Sequence, residues 1–236
     1  MKTAALFAVV AAAACAGSAF AAATVNVKFN GTAAGQNVQV SYFGSTKNVF
    51  AGQLKHTLSG ATGSYAWTNK QWLTYCTDLA QYVTSSTKSY TFDTLPNIPG
   101  NAPMGADKAQ VVQNLFNFAN GAQVATGITG DYAAAFQLAV WEIVTDYSPS
   151  NSLAGLSLTS GNFKAKNTSG GALSSNITNI FNTMMAGAFS SMSTSVQVLG
   201  VSSCDYQDQI FQVPAPGSLA LLGLGGLCMK RRRSVR

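Results

Sequence analysis

The sequence predicts an α+β fold: one domain, antiparallel strands at both ends and an inserted helical middle. Three observations predict it. Segments near both ends alternate apolar and polar residues, the period-two pattern of half-buried strands. The middle repeats apolar residues at helical spacing. About 190 residues lie between two unlike termini, enough for one sizeable core.

The first strands are "TVNVKF" (Thr24 to Phe29) and "NVQVSYF" (Asn37 to Phe43), with Gly31 and Gly35 between them. "NVFAGQLKHTL" continues the pattern. "SYAWT" and "QWLTYCTDL" flank Asn69-Lys70 and read as a further pair. The helical middle follows the breakers Pro99, Gly100, Pro103 and Gly105. "ADKAQVVQNLFNFAN" gathers Val111, Val112, Leu115, Phe116 and Ala119 near one face. "DYAAAFQLAVWEIVTDY" is the clearest helix, with Asp131 as its expected N-cap and Ser148-Pro149 as its end. On it Phe136, Val140, Ile143 and Tyr147 share one face; Gln137, Trp141 and Val144 share the neighbouring face. "SNITNIFNTMMAGAF" is a third helix, and the polar stretch from Ser148 to Ser175 reads as a loop. "SVQVLGV" and "DQIFQV" are the closing strands.

The formal charge of +6 comes from the ends of the chain. All four arginines lie in the last six residues. Between Thr24 and Pro216, eight lysines balance seven aspartates and one glutamate. A neutral folded domain offers no basic surface for nucleic acid. The chain is only 9% charged, but aromatic residues occur throughout, so it has the composition of a folded, exported protein and not of a disordered tract.

Lys2, the apolar run "AALFAVVAAAACAG" and the small residues of "AFAAAT" form a secretory signal peptide over residues 1–23. The ectodomain is then expected over 24–212. The last segment, 213–236, has three parts: a hinge with Pro214 and Pro216, a short apolar run from Gly217 to Met229, and a basic tail with Arg231, Arg232 and Arg233. The apolar run is shorter than the ~20 residues that span a bilayer comfortably. The basic cluster would hold the tail on the cytoplasmic side. This layout resembles the PEP-CTERM sorting signal of bacteria that export surface or matrix proteins. It departs in one place, where Pro214-Ala215-Pro216 stands for the usual proline-glutamate-proline. The resemblance implies export machinery and an exosortase-like processing enzyme as partners. It also implies transient anchoring through the tail and a place at the cell envelope or surface.

Cys15 leaves with the signal peptide and Cys228 lies in the tail, so Cys76 and Cys204 remain. In an oxidising compartment two such thiols suggest a disulfide. A Cys–His nucleophile would have to use His56, the single histidine, and would lack an orienting third group. No Cys or His pair sits at metal-ligand spacing, and nothing calls for a cofactor.

Another partner for Cys76 comes from resemblance. "TYCTDLAQYV", followed about sixty residues on by "AAFQLAVWEIVTD", resembles the bacterial surface thioester domain. That family carries an aromatic-Cys-polar-acidic motif and, later, a Gln followed by small and apolar residues and a Trp. The matches are Tyr75-Cys76-Thr77-Asp78 and Phe136-Gln137-Leu138-Ala139-Val140-Trp141. Many members carry Thr where this chain has Phe136. The resemblance implies a Cys76–Gln137 thioester, with Tyr75, Phe136 and Trp141 excluding water and Asp78 orienting the strand end. Such a protein would attach covalently to an amine or hydroxyl of a surface protein or polysaccharide. It would react once and not turn over as an enzyme. The alternative is a structural matrix or surface protein with no reactive bond, in which Cys76 and Cys204 pair or stay free.

Overall fold

A computed structural model describes residues 23–119, 127–151, 153–190 and 196–213. The expected signal peptide through residue 22 lies outside the described residues. So does the tail from Pro214 onward, with Pro216, Arg231, Arg232 and Arg233.

The fold is α+β. Among the described residues seven strands form one antiparallel sheet: β1 (Thr24–Tyr42), β2 (Ser45–Ser59), β3 (Gln71–Cys76), β4 (Lys88–Asp93), β5 (Phe163–Asn167), β6 (Gln197–Ser202) and β7 (Gln209–Val213). Among the described residues three α-helices lie between β4 and β6: α1 (Gly105–Phe118), α2 (Gly130–Asp146) and α3 (Ser175–Ala188).

The sheet order is β2-β3-β7-β6-β4-β1-β5, and β1 also pairs with β2. Six strands therefore close into a ring. The start of β1 bonds β4 on one edge and β2 on the other, as in Val25↔Tyr90 and Val27↔Leu58. The far half of β1 bonds β5, with Val40↔Ala165. Closure removes exposed strand edges from the ring.

The ring explains why there are two cores. Val25, Val27, Leu58, Tyr90, Phe92, Val201 and Phe211 pack together as one buried cluster drawn from the ring strands. The larger cluster joins the three helices to the sheet, through Val38, Val40, Tyr75, Phe116, Phe136, Phe163 and Phe181 among others. α2 packs against α3 and the β1–β2 hairpin.

Four expectations about the strands change. The two N-terminal strands are one strand, since Gly31 and Gly35 sit at register shifts and not in a turn. Gly35 faces Gly52 there, and a Cβ on Gly35 would lie 2.4 Å from the Ala51 carbonyl oxygen. Next, "SYAWT" is a short 3-10 helix, Gly63–Thr68. The Asn69 side chain closes that loop by bonding both the N–H and the carbonyl of Ala61. β3 stops at Cys76 and does not run on to Leu79. The polar stretch after α2 contains β5, which the edge of β1 recruits. "KSYTFD", for which the sequence analysis gives no element, is a strand as well.

The N-cap of α2 is Thr129, whose hydroxyl accepts the Tyr132 N–H at 3.3 Å. Asp131 instead accepts from Gln36 at 2.9 Å and Asn176 at 2.7 Å, tying α2 to β1 and α3. The helix is not striped. Every residue from Ala133 to Ile143 is buried. Three successive alanines, Ala133 to Ala135, leave no bulk to keep the helix from its neighbours. A glutamine in that stretch has no route to solvent and must find its partners inside.

Candidate functional site

Gln137 finds them at Cys76. The Cys76 N–H donates to Gln137 Oε1 at 2.9 Å, and Gln137 Nε2 donates to the Cys76 carbonyl at 2.7 Å. The carboxamide thus imitates a neighbouring strand at the point where β3 ends. Its oxygen faces a backbone donor, and its nitrogen is held by a backbone acceptor. Both residues are almost fully buried, at 2% for Cys76 and 1% for Gln137.

The Cys76 Sγ–H donates to the Asp78 carbonyl at 2.7 Å. Burial pushes the thiol's proton affinity far up, and the nearby Asp78 carboxylate adds to the rise. The Trp141 indole N–H opposes it. That N–H is directed at the sulfur, just outside strict hydrogen-bond geometry.

Tyr75 and Phe136, next to Cys76 and Gln137 in the chain, pack on each other in the helix-facing core. Their rings stand 4.5 Å apart, and Phe116 packs edge-on to Phe136 at 4.9 Å. Burial raises the Tyr75 hydroxyl well beyond the usual phenol range. Trp141 sits against Phe163 of β5 at 6.1 Å. Asp78 turns the chain after β3, its Oδ1 accepting the Ala80 N–H at 2.6 Å.

A strap from Thr77 to Val83 covers the pair. Gln207 Nε2 donates to the Asp78 carbonyl at 2.9 Å and the Gln81 carbonyl at 3.2 Å. Gln81 Nε2 donates to the Cys204 carbonyl at 2.6 Å. Lys47 Nζ donates to the Leu79 carbonyl and lies 5.0 Å from the centre of the exposed Tyr82 ring. Beneath the strap a cavity of about 200 Å³ touches both Cys76 and Gln137, with Leu79, Tyr82 and Trp141 among its walls. Sequence reasoning missed Gln207 and Lys47. The only signal was an excess of amides in "DYQDQIFQV", which is unusual for a buried strand.

Cys76 and Cys204 are both free, the first buried and the second exposed. His56 is not a partner for Cys76. Its Nδ1 lies 2.8 Å from Thr74 Oγ1, and Thr74 in turn donates to Gln209 Oε1 at 2.9 Å. Burial lowers the His56 pKa to about 4, so the ring stays neutral. Among the described residues no three His, Cys, Asp or Glu side chains gather as metal ligands. Among them, too, no helix is long and apolar enough to cross a membrane.

Residues 212–234 match the PEP-CTERM protein-sorting motif. The motif is the substrate signal for exosortase-type processing, and it marks an exported protein associated with the cell surface. No curated protein matches the sequence. Among solved structures the chain is similar to the N-terminal thioester domain of a surface protein from Clostridium perfringens. The TM-score is 0.42 at 13% identity, over 75% of this chain and 98% of that one. It is also similar to the N-terminal domain of the Streptococcus pyogenes pilus tip adhesin Cpa. There the TM-score is 0.40 at 16% identity, over 70% and 84% of the two chains.

Proposed function

We propose that this exported protein carries an internal thioester between Cys76 and Gln137 and uses it to attach covalently to an amine or hydroxyl group. The observation that carries this reading is the reciprocal hydrogen-bonded pair between the Gln137 carboxamide and the Cys76 backbone. A carboxamide is a poor acyl donor, so the reaction needs proximity, an oxyanion donor and exclusion of water. Each requirement has a counterpart among the named residues.

Cys76 Sγ attacks Gln137 Cδ. Negative charge develops on Oε1, which already accepts the Cys76 N–H. The thiol proton passes to Nε2, the C–N bond breaks, and ammonia leaves. The S–C bond that forms stays shielded by Tyr75, Phe136 and Trp141. A target amine or hydroxyl then takes the acyl group as an amide or ester, and the thiol returns to Cys76. Because the acyl group is spent in that step, the protein is a single-use binder and not an enzyme. On this reading residues 1–23 are a signal peptide, 24–212 the reactive ectodomain and 213–236 the sorting tail, whose apolar run holds the chain in the membrane until it is processed.

The intact mass of the mature protein should fall short of its sequence mass by one ammonia. Methylamine should open the bond, adding its own mass and freeing the Cys76 thiol. Cys76→Ala should show no deficit. A full-mass protein with a free Cys76 thiol would overturn the proposal.

The same pair also favours a second reading. Gln137 satisfies both backbone groups at the end of β3, which is a structural use complete in itself. A surface or matrix protein with two free thiols and no reactive bond would give full mass and no response to methylamine.

A further inference from the structure

The cavity of about 200 Å³ beneath the strap runs from the surface to the Cys76–Gln137 pair. Cys76, Gln137 and Leu54 line its buried end, and Thr32 and Tyr82 line it where the protein is exposed. Lys47 is half-buried between these extremes of exposure. A target group that reaches Gln137 through this cavity passes the exposed residues first.

Among the described residues that line the cavity, Lys47 alone carries a charge. The others are apolar, as in Val49, Leu79 and Trp141, or neutral and polar. The register of the β1–β2 hairpin places the lysine there. Lys47 pairs with Val40, which is buried in the helix-facing core, so its side chain starts on the inner face of β2. A lysine in such a register is rare, and its head must find polar company or water.

The company it finds is neutral. Its Nζ donates to the Leu79 carbonyl and lies 5.0 Å from the centre of the Tyr82 ring. Among the described residues no carboxylate pairs with it. The Asp78 carboxylate bears on Cys76, but Asp78 does not line this cavity, and its Oδ1 accepts the Ala80 N–H. One held, uncancelled cation therefore stands over the way in. In a small cavity with apolar walls few waters screen it, so it attracts a negative group on the target and repels a positive one.

We propose that Lys47 determines which targets the site takes: an amine or hydroxyl borne beside a carboxylate, sulfate or phosphate group is favoured, and one borne beside a cation is rejected. This rests on the Cys76–Gln137 thioester proposed above. Lys47 takes no part in the acyl transfer. It acts on the charge next to the nucleophile and so sets specificity, by attraction to one class of target and repulsion of the other.

The test compares γ-aminobutyrate, butylamine and putrescine, three amines on the same carbon chain. Their reactive forms carry one negative charge, none and one positive charge. Intact mass follows the opening of the bond by each amine in the native protein. Each rate is divided by that of the same amine with a small-molecule thioester, which removes differences in intrinsic reactivity. γ-Aminobutyrate should react about tenfold faster than butylamine, and putrescine more slowly than either. The spread should shrink in high salt. Lys47→Met should flatten the series, Lys47→Arg should keep it and Lys47→Glu should reverse it. Lost packing at this position would instead move all three rates together. Equal rates for the three amines would overturn the proposal. So would a preference for putrescine, which would give control to Asp78, or a series that survives in Lys47→Met.

A protein of full mass would mean that the thioester reading has failed, and the charge selection is then read on the free Cys76 thiol. Iodoacetate and iodoacetamide replace the amines, with the exposed Cys204 as internal reference. Iodoacetate should be favoured at Cys76 over Cys204 in the native protein and lose that advantage in Lys47→Met. The same ratio at both cysteines would overturn the role of Lys47 as well.

Discussion

Phe43 shows how one residue can oppose its own backbone. A left-handed conformation costs a side chain with a Cβ roughly 1–2 kcal/mol, which asparagine largely avoids. Phe43→Asn should therefore raise the melting temperature by a few degrees. An unchanged or lower melting temperature would mean that the turn stores no such strain. The opposite case is Gln137. Its identity as an amide is plain in the sequence, but its burial is not. Apolar neighbours at helical spacing suggest a glutamine beside a stripe. Only the surrounding elements, which cover α2 on every side, make its two hydrogen bonds to Cys76 obligatory.

Helix α2 carries one more buried polar group, Glu142, with no exposed surface. Its Oε1 accepts the Ser157 N–H at 2.7 Å, and Oε2 has no partner. Burial raises its pKa to about 8, and Asp146 adds to the rise. The folded state thus holds this proton more tightly than the unfolded chain does. The stability it lends is complete below about pH 4.5 and is lost as pH rises through about 8. Asp208 acts in the same direction, its pKa raised to about 6 by burial. His56 acts oppositely: its pKa is lowered, so stability falls as pH drops from 6.5 towards 4. Between pH 6.5 and 8 Glu142 dominates. Glu142→Gln keeps the acceptor for Ser157 and removes the titration. It should match the native melting temperature near pH 5 and exceed it by roughly 5 °C at pH 8. Equal melting curves at both pH values would remove Glu142 from this role. At the same scale, β5 and β4 were not legible. "FKAKN" and "KSYTFD" are too short to show a period, and the edges of β1 decide their conformation.

At the scale of the molecule, two cores share their strands. Trp72 and Phe211 pack within the ring, their rings 4.9 Å apart, while Tyr75 and Ile210, on the same two strands, belong to the helix-facing core. Cys76 lies where β3 leaves the ring and meets α2. Damage to one core should therefore reach the other. Phe211→Ala should cost about 3–5 kcal/mol. Far-UV circular dichroism and tryptophan fluorescence should still report one coincident melt. Two separated transitions would mean that the ring and the helical layer fold independently.

The sequence by itself determined the class and the parts. Period-two segments at both ends, helical spacing between them and a tripartite tail are local patterns. A chain carries such patterns without reference to its fold. It also supplied the chemically distinctive residues, Cys76, Gln137, Asp78 and Trp141. The tertiary structure decided what those residues meet. The closed strand ring and the burial of α2 from Ala133 to Ile143 arise from contacts between positions far apart in the chain. No local pattern encodes them, because burial depends on which surfaces the whole chain brings together.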